Sequence, residues 1–307
     1  MIKPVATRPG RPAVPDVIRR LPEYLMIWVP LLLSAAHLVS FSLWTLWISF
    51  TPSTLIPVTG WVGLRNYSAV TASRNWQIAF DNLLLFGSAF VLLSAATGLI
   101  LAILLDQRIR GENVLRSIFL YPLAVSFVVT GTVWSWLLNP GLGIQKLVHD
   151  LGWTSFKFDW LIDRDMAIWT IVIAAIWQSS GFAMALFLAG LRSVDSDIIK
   201  AAQIDGAGPV RTYRRIILPS LWPITVTVVV IQLQFAISTF DLVRALTNGG
   251  PGIATQLPAL VVYDLMFQRS LLGRGAAAAV LMLLILLAVL LPYAAWRYIQ
   301  RRRAAHA

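Results

Sequence analysis

The 307-residue sequence predicts an all-α membrane protein with six transmembrane helices. Three observations carry this. Hydrophobic residues make up 58% of the chain and charged residues 13%, the mean hydropathy is +0.73, and six segments reach the length of a membrane span. A soluble domain carries roughly 25% charged residues, so about half the charge needed to face water is missing. Lipid is the solvent that fits such a surface.

About 20 apolar residues cross the hydrocarbon core of a bilayer. Residues 1–24 form a Pro-rich, basic tail, and the apolar run after it is too long for a signal-peptide core. That run, 25–50, is therefore retained as the first span and leads to an outer loop at 51–81. The region 82–296 holds the other five spans: Asn82–Leu105, Leu115–Leu138, Met166–Leu191, Pro219–Phe240 and Gly275–Trp296. A basic tail, 297–307, follows. None of the six spans contains an acid, and the one basic residue, Arg116, is the second residue of the third. Tyr24, Trp28, Trp136, Tyr293 and Trp296 stand near span ends, where amphipathic rings anchor at the interface.

The formal net charge of +11 is explained by its placement. With the N-terminus inside, the tails, the loops 106–114 and 192–218, and Arg116 at the inner end of the third span collect 17 of the 25 Lys and Arg. The acids divide evenly, leaving about +10 inside and +1 outside. This is the positive-inside pattern, which places both termini in the cytoplasm and gives no support to nucleic-acid binding. Cysteine is absent, and the three histidines (His37, His149 and His306) are too far apart in sequence to suggest a metal cluster. No Gly-Lys dipeptide occurs, so the chain has no Walker A loop for ATP phosphates. No catalytic residue and no cofactor are assigned to it.

The inner loop 192–218 is long and patterned. Asp195 or Ser196 is placed to cap a helix over Asp197–Ile204. Gly206 can take the left-handed conformation that ends a helix, and Gly208-Pro209 starts a second one. Val210, Tyr213 and Ile217 recur at helical spacing, with Arg211, Arg214 and Arg215 on other faces. Pro219 closes this helix at the membrane. By periodicity alone, the unit is either a docking element or a loop lying on lipid headgroups.

Particular residues go further. Lys200-Ala201-Ala202, Asp205-Gly206-Ala207 and Ile217-Leu218-Pro219, between the fourth and fifth spans, resemble the EAA loop of ABC importer permeases. Thr247–Pro251 with Thr255, and Gly60–Tyr67, resemble outer elements of the carbohydrate branch of that family. The stretches Leu104–Gly143, Trp153–Leu161 and Trp177–Asp195 are similar to glucose/mannose permeases, and α-glucoside permeases share many of these residues. The resemblance implies the type I importer fold in a bacterial inner membrane. It also implies a coupling helix seated on a dimeric ATPase that holds the ATP and Mg. A second homologous permease, wrapped by the first span, and an extracytoplasmic sugar-binding protein are the other implied partners. Lys200, Ala201, Ala202, Asp205, Gly206, Ala207, Arg211 and Arg214 are the implied coupling residues. Lys200 stands where the family usually has Glu, so an ion pair made there by Glu is not carried over.

Sugars are held by hydrogen bonds to their hydroxyls and by aromatic faces. Within or at the ends of spans, Gln178, Ser179, Ser180, Gln232, Gln234 and Asp241 are the candidates for the path, with Trp177, Ser238 and Thr239 beside them. Each has a plainer reading. Ser and Thr in membrane helices bond backbone or neighbouring helices, Trp134 and Trp136 suit interfacial anchoring, and Asp241 suits an ordinary outer carboxylate. Asn139 lies just past the outer end of the third span, and His37 suits helix packing. A buried amide needs several partners, which singles out the three glutamines. An ion-coupled secondary transporter would place an ionisable residue inside the membrane, which is not the pattern here. A membrane-embedded enzyme would need a catalytic constellation, and none is visible.

Overall fold

The computed structural model describes residues 16–107 and 109–305. Lys3, Arg8, Arg11 and Arg108 of the charge argument lie outside them, as does most of the N-terminal tail. By contacts the chain divides into two units, 1–47 and 48–307. Every regular element among the described residues is a helix, and none is a strand.

The first unit holds most of helix α1 (Asp16–Ser49), whose apolar stretch Met26–Ser49 meets the length and composition of a span. Leu31, Leu38 and Phe41 on it are exposed, as lipid-facing residues are. His37 packs its ring on Phe41 at 4.3 Å within the same helix.

In the second unit, α3 (Arg74–Asp106), α7 (Ala167–Leu191) and α14 (Leu272–Ala305) are single long apolar helices. Ser73 caps α3 by accepting from the Trp76 amide at 3.3 Å. α3 and α7 pack closely because Gly98 faces Ala183. A Cβ at Gly98 would lie 2.5 Å from Ala183 Cβ, so the small pair lets the backbones approach. α14 runs to Ala305, past the Trp296 end expected from hydropathy.

Two expected spans are not straight, and the third corrects the sequence reading. α4 (Glu112–Ala124) and α5 (Phe127–Leu137) meet at 97°. Pro122 lies in the last turn of α4, Val125 and Ser126 are extended, and Ser126 caps α5 through the Val129 amide at 3.3 Å. In the fifth, α9 (Pro209–Thr212), a π-helical turn (Tyr213–Ile217) and α10 (Leu218–Ser220) lead into α11 (Trp222–Ser238) with a 62° bend. Pro219 lacks an amide proton and crowds the carbonyl four residues back. The wider π turn before it, closed by Leu218 N to Tyr213 O, accommodates that, so the helix passes Pro219 and bends at Leu221 instead. Among the described residues, four helices alone are long and apolar enough to span, and up to six spans result when each bent pair counts as one.

Short helices complete the unit: α2 (Arg65–Thr71), α6 (Ile144–Asp150), α8 (Ser196–Ile204), α12 (Asp241–Leu246) and α13 (Pro258–Tyr263), the last followed by a π turn at Asp264–Gln268. The segment 241–274 is more than a loop. Leu242, Val243 and Leu246 of α12 join the main core with Phe86, Phe90, Ile171 and Leu260. Gly131 of α5 admits α12, since a Cβ there would sit 2.8 Å from Leu242 O. A second core gathers Leu105, Met184, Phe187, Leu191, Ile217 and Leu221, at the end where the loop 192–218 emerges.

Candidate functional site

The loop 192–218 leaves α7 at Arg192, which is held. Its Nη2 donates to Glu112 Oε1 at 2.6 Å, and its Nε lies 3.9 Å from Asp106 Oδ1. The ends of α3, α4 and α7 are thereby tied. Asp195 Oδ1 accepts the Asp197 amide at 2.9 Å and starts α8. After α8, the Ala207 amide returns to Ala202 O at 2.9 Å, and Gly206 sits at φ +77° with open space where a Cβ would go. This is the helix–turn–helix expected from the sequence.

The two helices face two ways. Ile199 and Tyr213 pack on the second core, and Ala202 is buried. Ile198, Ile204 and Val210 are exposed, Ile204 at 86% and Val210 at 81%. Ala201, Asp205, Arg211 and Arg214 are exposed, and Ala207 is half-buried. Lys200 Nζ bonds Asp197 Oδ1 at 2.8 Å, both side chains lying mostly in solvent. Such an exposed pair contributes about 0–1 kcal/mol, so it yields easily to a partner. Arg211, Arg214 and Arg215 line an open hollow of about 630 Å³ with Gly208 and Val210. Burial and the Asp106 carboxylate push the Tyr213 phenol above its ordinary value, against a hydrogen bond from Gln107 that lowers it.

The path candidates separate. Gln178 is 1% exposed, and its Nε2 donates to Val125 O at 2.7 Å, the carbonyl left free by the break between α4 and α5. Gln232 is fully buried and donates to Ser94 Oγ on α3 at 2.8 Å. Both keep an Oε1 without a hydrogen-bond partner. Ser179 is buried and Ser180 half-buried on α7, while Gln234 is exposed on α11. Ser238 and Thr239 bond their own helix, to Gln234 O and Phe235 O. Trp134 and Trp177 meet edge to face at 6.0 Å, and Trp136 is exposed. Asn139 Oδ1 accepts the Gly141 amide at 2.9 Å and shapes the turn after α5.

Asp241, Ser238 and Thr239 come together with Phe127, Phe235 and Phe240 around a cavity of about 170 Å³. Carboxylate, hydroxyls and aromatic rings in one cavity provide the two kinds of contact a sugar uses. The three phenylalanines are absent from the sequence-derived set. Phe235 beside Gln234, and Phe240 between Thr239 and Asp241, were the available signal, and Phe127 adjoins no candidate.

The other motif segments are braced internally. Asn66 Nδ2 donates to Ser49 O at 2.9 Å and Thr51 O at 2.7 Å, capping the end of α1. Phe50 stacks on Trp61 at 4.8 Å. Thr255 Oγ1 donates to Gly250 O at 2.7 Å and lies 2.8 Å from Thr247 Oγ1, while Asn82 on α3 holds Ala254 O and Gln256 O.

A bundle of apolar helices, two spans of it bent, with a helix–turn–helix anchored to the core on its inner side, has the build of a membrane transport subunit. Residues 94–305 match the family described as binding-protein-dependent transport system inner membrane component, and the chain belongs to this family of ABC transporter permeases. It is 38% identical to a probable ABC transporter permease protein of Pyrococcus horikoshii, over 91% of this chain and 96% of that one. It is 31% identical to the trehalose/maltose transport system permease protein of Thermococcus litoralis, over 88% and 91%. Among solved structures, a chain of a bacterial ABC transporter involved in import of the acidic polysaccharide alginate matches with a TM-score of 0.79 at 19% identity, covering 94% of this chain and 97% of that one. That likeness establishes the fold.

Proposed function

We propose that this chain is the sugar-conducting permease of an ATP-driven importer, with glucose/mannose-type monosaccharides as its substrates. The observation that carries the coupling part is the loop 192–218. Ile198, Ile204 and Val210 are exposed on the outside of a turn whose inside, Ile199 and Tyr213, is packed into the core. Such a unit transmits force: a partner gripping α8 moves the Leu105–Leu191–Ile217–Leu221 cluster with it. ATP and Mg belong to that partner, a dimeric ATPase. Lys200, Ala201, Ala202, Asp205, Gly206, Ala207, Arg211 and Arg214 meet it, the loop and both termini lying in the cytoplasm as the basic residues favour.

On the opposite face, a binding protein hands over substrate, and a second permease completes the path. Gln178, Ser179, Ser180, Gln232, Gln234 and Asp241 line it, with the phenylalanine-lined cavity at Asp241 as the contact region. The sugar reading draws support from the names of two relatives. A permease of Haloferax volcanii, 35% identical over 77% of this chain, is named for xylose/arabinose import, and that of Thermococcus litoralis for trehalose/maltose. Relatives named for sn-glycerol-3-phosphate transport also occur. An α-glucoside is the second reading, supported by the trehalose/maltose relative.

The test is uptake of labelled glucose in cells with and without the gene, competed by mannose, maltose and trehalose. Loss of glucose uptake that only mannose competes is expected. Intact glucose uptake with loss of disaccharide uptake would move the substrate to an α-glucoside.

A further inference from the structure

Charges on the outer side are segregated. The segment 139–165 carries Asp150, Asp159, Asp163 and Asp165 against Lys146, Lys157 and Arg164. Four other outer arginines are gathered by the fold although up to 209 positions separate them in sequence. Arg65, at the start of α2, and Arg274, in the first turn of α14, line a hollow of about 150 Å³ with Pro52, Ser53 and Asn66. Arg74, Arg269 and again Arg274 line an adjoining hollow of about 140 Å³ with Ser73 and Asp264. All four side chains are exposed, and among the described residues none has a salt-bridge partner. Asp264, the one acid in either lining, accepts a hydrogen bond from Gln256 at 3.0 Å.

The frame under this patch is rigid. Gly273 N donates to Ser53 O at 2.8 Å, and a Cβ on Gly273 would sit 2.4 Å from Thr51 O, so the start of α14 lies directly on the loop after α1. Leu271 N bonds Leu265 O at 2.7 Å, and Arg269 N bonds Asp264 O at 2.9 Å. The guanidinium groups therefore project from fixed backbone, which lowers the ordering cost of binding. On α3, Arg74 lies eight residues, about 12 Å at 1.5 Å per residue, before Asn82, where the hydropathy-based span begins, and Arg274 directly precedes the sixth span at Gly275.

We propose that Arg65, Arg74, Arg269 and Arg274 form the docking surface for an acidic patch on the extracytoplasmic binding protein. This rests on the importer reading above. Four like charges left without a salt bridge around two adjoining hollows on a hydrogen-bonded frame match a carboxylate-bearing protein face, since arginine forks pair with carboxylates bidentately. Charge complementarity of this kind raises the encounter rate and sets the register of docking.

The test uses the assembled importer in phosphatidylcholine nanodiscs, with its purified sugar-loaded binding protein titrated against stimulated ATPase activity. The variant R65Q/R74Q/R269Q/R274Q is expected to raise the half-saturating concentration on the order of tenfold at low salt. The half-patch variants R65Q/R274Q and R74Q/R269Q should each give part of that shift. Wild-type half-saturation should rise steeply with NaCl and with added poly-L-glutamate, and that of the quadruple variant should be nearly flat. Equal half-saturation and equal salt dependence in wild type and variants would overturn the docking surface while leaving the importer reading intact. Wild-type complex that its binding protein fails to stimulate would overturn both. A shift present only when anionic lipid is added to the discs would assign the arginines to headgroups and overturn the proposal.

Discussion

Gly181 offers the sharpest perturbation of the helix arrangement. It lies on α7 opposite α4, one turn past Gln178, and a Cβ built there would sit 1.9 Å from the backbone oxygen of Phe119 and 2.8 Å from its carbonyl carbon. Ordinary contact begins near 3.4 Å, so Gly181→Ala requires α4 and α7 to separate by about 1.5 Å. The obstacle is backbone, and no side-chain rotamer relieves it. Overpacking costs about 1–3 kcal/mol, offset by about 0.5–1 kcal/mol from the better helix propensity of alanine. Gly87 on α3 is the control: a Cβ there meets Ala236 Cβ at 3.7 Å, an ordinary distance, so Gly87→Ala should be neutral or stabilising. Thermal unfolding of the assembled complex, read by loss of monodisperse protein after heating, compares the two. Gly181→Ala should unfold several degrees below wild type and Gly87→Ala at or above it. Equal midpoints for both variants would refute the close approach of α4 to α7.

Other outcomes follow from the same geometry. Gly206→Val should weaken co-purification of the ATPase and lower transport, because a β-branched residue at φ +77° costs about 1–3 kcal/mol in strain; full pull-down yield together with full uptake would count against that turn. Alanine at both Gln178 and Gln232 should change uptake kinetics, and unchanged KM and maximal rate would remove them from the path. Arg192→Ala releases Glu112 and Asp106 at the mouth of the loop. It should raise ATP hydrolysed per sugar imported, with the partly exposed pairs contributing little to unfolding temperature, about 0–1 kcal/mol; an unchanged ratio would make the tie dispensable.

The sequence carried the spans and the loop well because both rest on local pattern. Hydropathy located α3, α7 and α14 to within a few residues at most ends, and Asp195, Gly206 and Pro209 each do in the structure what their types dictate. The break at Val125–Ser126 escaped because apolar periodicity reads the same through a straight helix and a bent one. Pro122 followed by Ser126 was the available signal. Burial of Leu242, Val243 and Leu246 also escaped, since a six-residue helix is too short to show a period. The approach of Gly181 to Phe119 depends on two elements about sixty residues apart, which no local pattern encodes. Gln178 shows the limit for the site: its amide type marked it correctly as needing a buried partner, but not that Val125 O would be that partner.

The measurement that bears most directly on the account is sugar accumulation in proteoliposomes that hold this chain, its permease partner and the ATPase, with loaded binding protein outside. The account predicts accumulation that requires ATP on the loop 192–218 side and is lost when the binding protein is withheld. Accumulation driven by a proton or sodium gradient without ATP would contradict it.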